Sequence, residues 1–409
     1  MKKLGSALLA TALAGCAATA PVAVAPEAAT GQASTALADG VRLTTPTPRP
    51  PEDLQVLFWS PAQRQTRFAD MEGWFAGLEV APPSQSASLP AGQPLSSELS
   101  QILTAAMEET NAVGVLVLDN GTVRYESYRG GFDANDRWTS FSVAKSLTST
   151  LLGAALKDGS IASLNDPVSR YIPELANSVY ADVTVRQLAT MTSGAKWNED
   201  YTDPNSDVAR MQTFLNGTDN PTIAQMRTLD REAPAGEKWV YKTGETNLLG
   251  LLVERAVGMP LAAYAKGKIV DPAGFEAPLF WMVDPSGGNI GGCCLSLRLR
   301  DYARFAQYVL EDGRGQVPAG WFEEAGGRQV AFDPSNPNGF GYGYQWWTYP
   351  GQTFGAQGIF GQAITLVPED NLAVVILSNW DTPTTREGRL LWLDLTGQIL
   401  AEMQREDAQ

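Results

Sequence analysis

The stretch "RWTSFSVAKSLTST", residues 137–150, sets Ser142 three positions before Lys145 at the start of an apolar helical pattern. On a helix, positions i and i+3 share a face, so a hydroxyl and an amine can meet in one site. That pair can perform nucleophilic catalysis if the amine is kept neutral, since an exposed lysine titrates at about 10.4 and cannot accept a proton at neutral pH. The spacing alone equally fits a solvated surface lysine. The chain has nine lysines, and a single other Ser-x-x-Lys occurs, Ser193 to Lys196 in "SGAKW". It follows "VTVRQLATMT", whose spacing predicts a helix ending at the Ser-Gly pair. A nucleophile gains from a helix N-terminus, where free N–H groups and the positive dipole end favour an oxyanion, and Ser142 alone has that setting.

No histidine occurs in 409 residues. This excludes Ser-His-Asp triads, Cys-His dyads and histidine-ligated metals, and leaves a carboxylate, a tyrosine or a depressed lysine as the base of any hydrolase. The reading is metal-free and needs no cofactor. Formal charge is −15. The acidic balance argues against nucleic acid as a partner.

The elements that must position the pair lie at both ends of the chain. "SELSQILTAAMEET" predicts a helix, and "AVGVLVLDNGTVRYESY" predicts a hairpin turning at Asn120-Gly121. A second hairpin is predicted in "QAITLVPEDNLAVVILSN", turning at Pro368 to Asn371, and a last amphipathic helix in "REGRLLWLDLTGQILAEMQR". With a largely helical middle over residues 142–285, the expected fold is α/β (α+β): an antiparallel sheet assembled from the two ends, flanked by helices, with an inserted α-helical lobe and the site between sheet and lobe.

The N-terminus combines Lys2 and Lys3 with an apolar run from Leu4 to Ala14, an export signal too short to span a membrane. Leu13-Ala14-Gly15-Cys16 resembles the lipobox of bacterial lipoproteins, which implies cleavage before Cys16, lipid attachment there and anchorage to the membrane at the periplasmic side of the cell envelope. Loss of residues 1–15 removes two lysines, giving 28 basic against 45 acidic residues, or −17. Residues 16–52, rich in Ala, Thr and Pro, read as a flexible tether, residues 53–94 as an N-terminal extension embracing the main domain, and residues 95–405 as that domain.

Two further segments complete a resemblance. "APAGEKWVYKTGETNLLGLLVERAVG" is similar to the second motif of the serine β-lactamase-like, penicillin-recognising family, usually Tyr-x-Asn, with Tyr241 and Thr243 at the matching positions. "GAQGIFGQAITLVPEDN" resembles its third motif, usually Lys-Thr-Gly or His-x-Gly, with Ala356, Gln357 and Gly358 there and Ile359 next. "GGCCLSLRLRDYARFAQYVL" and "GYGYQWW" look like framework stretches, so the resemblance runs from about residue 95 to 400. Ala356 replaces the cation that holds a substrate carboxylate in classical members, and Thr243 replaces the usual asparagine. Together with "WNEDYTDP" at residues 197–204, these departures resemble the aminohexanoate-oligomer hydrolases and related carboxylesterases.

The resemblance implies a β-lactamase/transpeptidase-like fold and an acyl-enzyme on Ser142, with Lys145 and Tyr241 as the acid–base pair. It implies an oxyanion hole from the N–H groups of Ser142 and Ile359. Tyr201, Thr243, Gln357 and Gly358 would contact a small ester or amide, with Tyr201 lying over the site. Alternative readings are a β-lactamase or D-Ala-D-Ala carboxypeptidase, and an inactive envelope binding protein. Other polar residues read as framework. Trp346 and Trp347 are expected in the core or cleft wall, Lys242 as solvated, Asp301 and Arg304 as a cap or surface pair. Cys293 and Cys294 are expected as buried free thiols, since a ring between adjacent cysteines is strained.

Overall fold

The computed structural model describes residues 38–211, 220–336 and 338–408; the lipobox and Cys16 lie outside them. Strands Ala112–Asp119 and Thr122–Tyr128 form the first hairpin. Its two central residues, Asn120 and Gly121, both have positive φ (49° and 74°), the torsions a two-residue turn needs to match strand twist. Strands Ala363–Val367 and Leu372–Ser378 form the second, around Pro368–Asp370 and left-handed Asn371.

The hairpins meet in the middle of one eight-stranded antiparallel sheet, with Leu372 opposite Asp119 and Ile376 opposite Val115. Alternation divides the central strands. Val115, Val117, Val374 and Ile376 pack with Leu99, Leu103, Trp392 and Ile399 of helices Ser97–Glu109 and Arg386–Asp407. Leu116, Leu118, Val375 and Leu377 point into the larger core of the helical middle. Burial on both faces explains why these strands are apolar almost throughout.

The sequence reading missed a second antiparallel sheet, ordered Val41–Thr44, Gly77–Val80, Leu279–Met282, Leu295–Leu297, Trp138–Thr139. Its first strand corrects the reading of residues 16–52 as an unstructured tether: Val41 pairs with Val80 and Thr44 with Gly77. Four residues with a partner 33 or more positions away carry too weak a local pattern to be recognised. The last strand feeds the chain into the turn that holds Ser142, with the Thr139 N–H donating to the Phe68 carbonyl (3.0 Å) and that of Ser140 to Leu295 (2.8 Å).

Helix Ala144–Lys157 is buried nearly all round, and several of its polar side chains bond to backbone carbonyls, although the buried Ser149 hydroxyl has no partner among the described residues. Ser146 donates to the Gln345 carbonyl at 2.8 Å and Thr148 to that of Gly291 at 2.7 Å. Helix Thr243–Val257 packs beside it, with a left-handed Gly258 cap. The helix expected to reach Ser193 ends earlier, spanning only Val185–Ala189 behind a Thr184/Gln187 capping box.

Candidate active site

Ser142 sits in a tight 3-10 turn, Phe141–Val143, two residues before the start of helix Ala144–Lys157. Phe141 has φ +42°, a left-handed torsion that costs a non-glycine residue about 1–3 kcal/mol and persists only where surroundings impose it. Lys145 follows in the first helical turn, 1% exposed. Its Nζ donates to Thr243 Oγ1 at 2.9 Å and to the Gly292 carbonyl at 2.8 Å. Burial lowers its pKa from 10.5 to about 7, against the opposing pull of the Glu199 charge. The ammonium lies 5.3 Å from the centre of the Tyr241 ring.

Burial, and then the Glu199 charge, push the Tyr241 phenol well above its ordinary value, while a hydrogen bond with Ser142 acts in the opposite direction. The structure thus gathers Ser142, Lys145 and Tyr241. It separates the second Ser-x-x-Lys pair: Ser193 is buried with its hydroxyl on Glu245, while Lys196 is exposed.

Thr243 opens helix Thr243–Val257 and links Lys145 to Glu199, accepting from the amine and donating to the carboxylate. Glu199 also accepts from the Thr243 N–H (3.0 Å), the Tyr201 hydroxyl (2.9 Å) and the Trp197 indole. A carboxylate at a helix N-terminus is favoured by the dipole as well as by these donors. The sequence reading missed Glu199. A signal was available: Trp197, Glu199 and Tyr201 fall at alternate positions and turn inward, while Asn198 and Asp200 are exposed. The structure places Tyr201 beside Glu199, to which its hydroxyl donates.

On the opposite wall, strand Phe354–Gln357 runs into Gly358 and Ile359. A Cβ on Gly358 would lie 2.5 Å from the Ser140 carbonyl oxygen, so only glycine lets this strand end approach the turn that holds Ser142. Neither the Ser142 nor the Ile359 N–H has an acceptor among the turn and loop backbone hydrogen bonds of the described residues. Phe360, next along, is left-handed like Phe141 (φ +62°), and the two rings pack 5.4 Å apart. The Gln357 amide donates to the Tyr349 hydroxyl at 2.7 Å.

Several framework expectations are corrected. Lys242 is fully buried rather than solvated, its Nζ donating to the Met191 and Val240 carbonyls and lying 3.5 Å from the equally buried Glu245. Asp301 and Arg304 are also internal: the carboxylate accepts the N–H groups of Glu276 and Ala277 while pairing with Arg304, stitching a loop to the helix. Trp346 is core, whereas Trp347 is partly exposed and stacks on Tyr241 at 5.4 Å. Cys293 and Cys294 are bonded to each other rather than free. The left-handed torsion of Cys294 (φ +71°) brings consecutive side chains to one side of the chain. Among the described residues, no group of three or more His, Cys, Asp or Glu could hold a metal ion.

Residues 99–397 match the Beta-lactamase family. The chain is 33% identical over 326 residues to the 6-aminohexanoate-dimer hydrolase of Paenarthrobacter ureafaciens, covering 74% of this chain and 80% of that one. It is 27% identical over 210 residues to the esterase EstB of Burkholderia gladioli, 47% of this chain and 53% of that one. Among solved structures, a provisionally named 6-aminohexanoate-dimer hydrolase from Bacillus anthracis superimposes with a TM-score of 0.75 at 21% identity, over 83% of this chain and 94% of its own. A class C β-lactamase mutant does so at 0.57 and 17%, over 74% and 96%. The antiparallel sheet, the helical middle and these matches agree: the chain is a hydrolase and belongs to the β-lactamase family.

Proposed function

We propose that this hydrolase cleaves small esters or amides through an acyl-enzyme on Ser142, without a metal. The observation that carries the reading is the dry setting of Lys145, whose depressed pKa allows a neutral amine near pH 7. Lys145 takes the proton as Ser142 attacks. Tyr241, raised and therefore protonated, has its ring centre 5.3 Å from the Lys145 amine; it gives its proton to the leaving group and regains one from Lys145. The negative oxygen of the tetrahedral intermediate is received by the Ser142 and Ile359 N–H groups, each worth about 100- to 1000-fold in rate. The leaving group departs, and water enters by the same base to release the acid and regenerate Ser142.

Ala356, where classical relatives carry a cation for the substrate carboxylate, and the identity to a 6-aminohexanoate-dimer hydrolase favour a linear amide or an ester over a β-lactam. The test is covalent labelling by a fluorophosphonate, expected on the wild type and lost in Ser142→Ala; a wild type that takes no label would identify an inactive binding protein. Hydrolysis of a chromogenic cephalosporin at rates rivalling nitrophenyl esters would exchange the substrate class. We also propose that Cys16 anchors the protein by lipid in the cell envelope, which labelled palmitate incorporated by wild type and not by Cys16→Ser would support.

A further inference from the structure

The two proposed oxyanion amides belong to peptide units whose carbonyls are each held from behind. The Phe141 carbonyl, in the unit that carries the Ser142 N–H, accepts from Ser140 Oγ at 2.9 Å. The Gly358 carbonyl, in the unit that carries the Ile359 N–H, accepts from Arg389 Nη2 at 2.5 Å. A trans peptide is planar, with its C=O and N–H pointing in opposite directions. Holding the Gly358 oxygen toward Arg389 therefore turns the Ile359 N–H away from Arg389.

Arg389 comes from the first turn of the C-terminal helix, Arg386–Asp407. Its Nη1 donates to the Gln362 carbonyl at 3.2 Å, and that same oxygen accepts the Gly358 N–H at 2.8 Å. One guanidinium thus grips both ends of the 358–362 loop. The fork is itself located by Trp380, whose ring centre lies 4.7 Å from it. A charge-assisted bond to the carbonyl also polarises the amide and makes its N–H a stronger donor.

We propose that Arg389 is a positioning residue for the oxyanion hole, fixing the Gly358–Ile359 peptide so that the Ile359 N–H faces the carbonyl attacked by Ser142. It rests on the serine-hydrolase reading above. A lysine would keep the charge but lose the two-pronged grip, and a methionine would lose both.

The experiment compares full-length wild type, Arg389→Met, Arg389→Lys and Trp392→Phe. Trp392 lies one helical turn further on, its indole donating to Thr110 Oγ1 at 3.2 Å, and it touches neither carbonyl. Measured are kcat and KM on a nitrophenyl ester, the rate of fluorophosphonate labelling, and Tm. Arg389→Met should lower kcat and the labelling rate together by about 10- to 100-fold, with KM within about threefold of wild type. Arg389→Lys should recover only part of the loss, and Trp392→Phe should lower Tm while keeping kcat. The proposal is overturned if Arg389→Met keeps wild-type kcat, or if KM alone rises, which would put the guanidinium on the substrate. It is overturned too if Trp392→Phe loses kcat in proportion to Tm as Arg389→Met does. Should the methionine variant not fold, wild-type kcat in Arg389→Lys refutes it. A labelled wild type with an indifferent Arg389 refutes positioning alone; an unlabelled wild type refutes the hydrolase reading and this one together.

Discussion

Ser142–Lys145 and Ser193–Lys196 share a spacing and differ in everything that makes the spacing chemical. The first serine precedes a buried helix, and its lysine is enclosed by Thr243 and the Gly292 carbonyl. The second lies beyond a five-residue helix, its hydroxyl bound to Glu245 and its lysine in water. Two side chains three apart become a nucleophile and a base only where the surroundings strip water from the amine and leave the hydroxyl free to react. Spacing nominates a pair and desolvation makes it reactive.

Exchanging the serines is the sharpest way to break this comparison. Ser142→Ala should reduce ester hydrolysis by about 10⁴-fold or more, whereas Ser193→Ala should change it by less than about tenfold, its effect appearing as lost stability from the Glu245 contact. Equal losses of activity would place the nucleophile elsewhere. Next comes Gly358→Ala, whose Cβ would meet the Ser140 carbonyl and push the Ile359 amide from the nucleophile turn. A fall of about 100-fold in kcat is expected, with KM little changed, as stopped-flow or steady-state kinetics would reveal.

Tyr201→Phe should be milder. The hydroxyl donates to Glu199 beside Tyr241, where proton delivery matters for an amine leaving group and little for nitrophenolate. The amide-to-ester ratio of kcat/KM should fall about tenfold, and an unmoved ratio would remove Tyr201 from the mechanism.

The pH profile probes the smallest effect. In the proposed mechanism Lys145 acts as a base only when neutral, so kcat/KM should rise with pH through about 7. The Glu199 charge raises that pKa, so Glu199→Gln should move the ascending limb to lower pH, with little change in the plateau. A limb that stays in place, or moves upward, would show that Glu199 does not act on the lysine.

What the sequence determined by itself was local or periodic. Asn120-Gly121 and Pro368 to Asn371 announce hairpins because their torsions are a property of the residues, and the apolar central strands announce burial. The absence of histidine limited the choice of base, and three motifs in order located Ser142, Lys145 and Tyr241. Tertiary structure alone decided the rest. The acceptors of Lys145 lie 98 and 147 residues away, Arg64 of the N-terminal extension reaches Asn379 across 315, and Arg389 meets Gly358 across 31. Lys242 is buried although its neighbours in sequence suggest a surface residue, and Cys293 bonds Cys294 through a backbone torsion no composition reveals. Desolvation and the aim of an amide depend on what surrounds a group in space, and the chain supplies those neighbours only by folding.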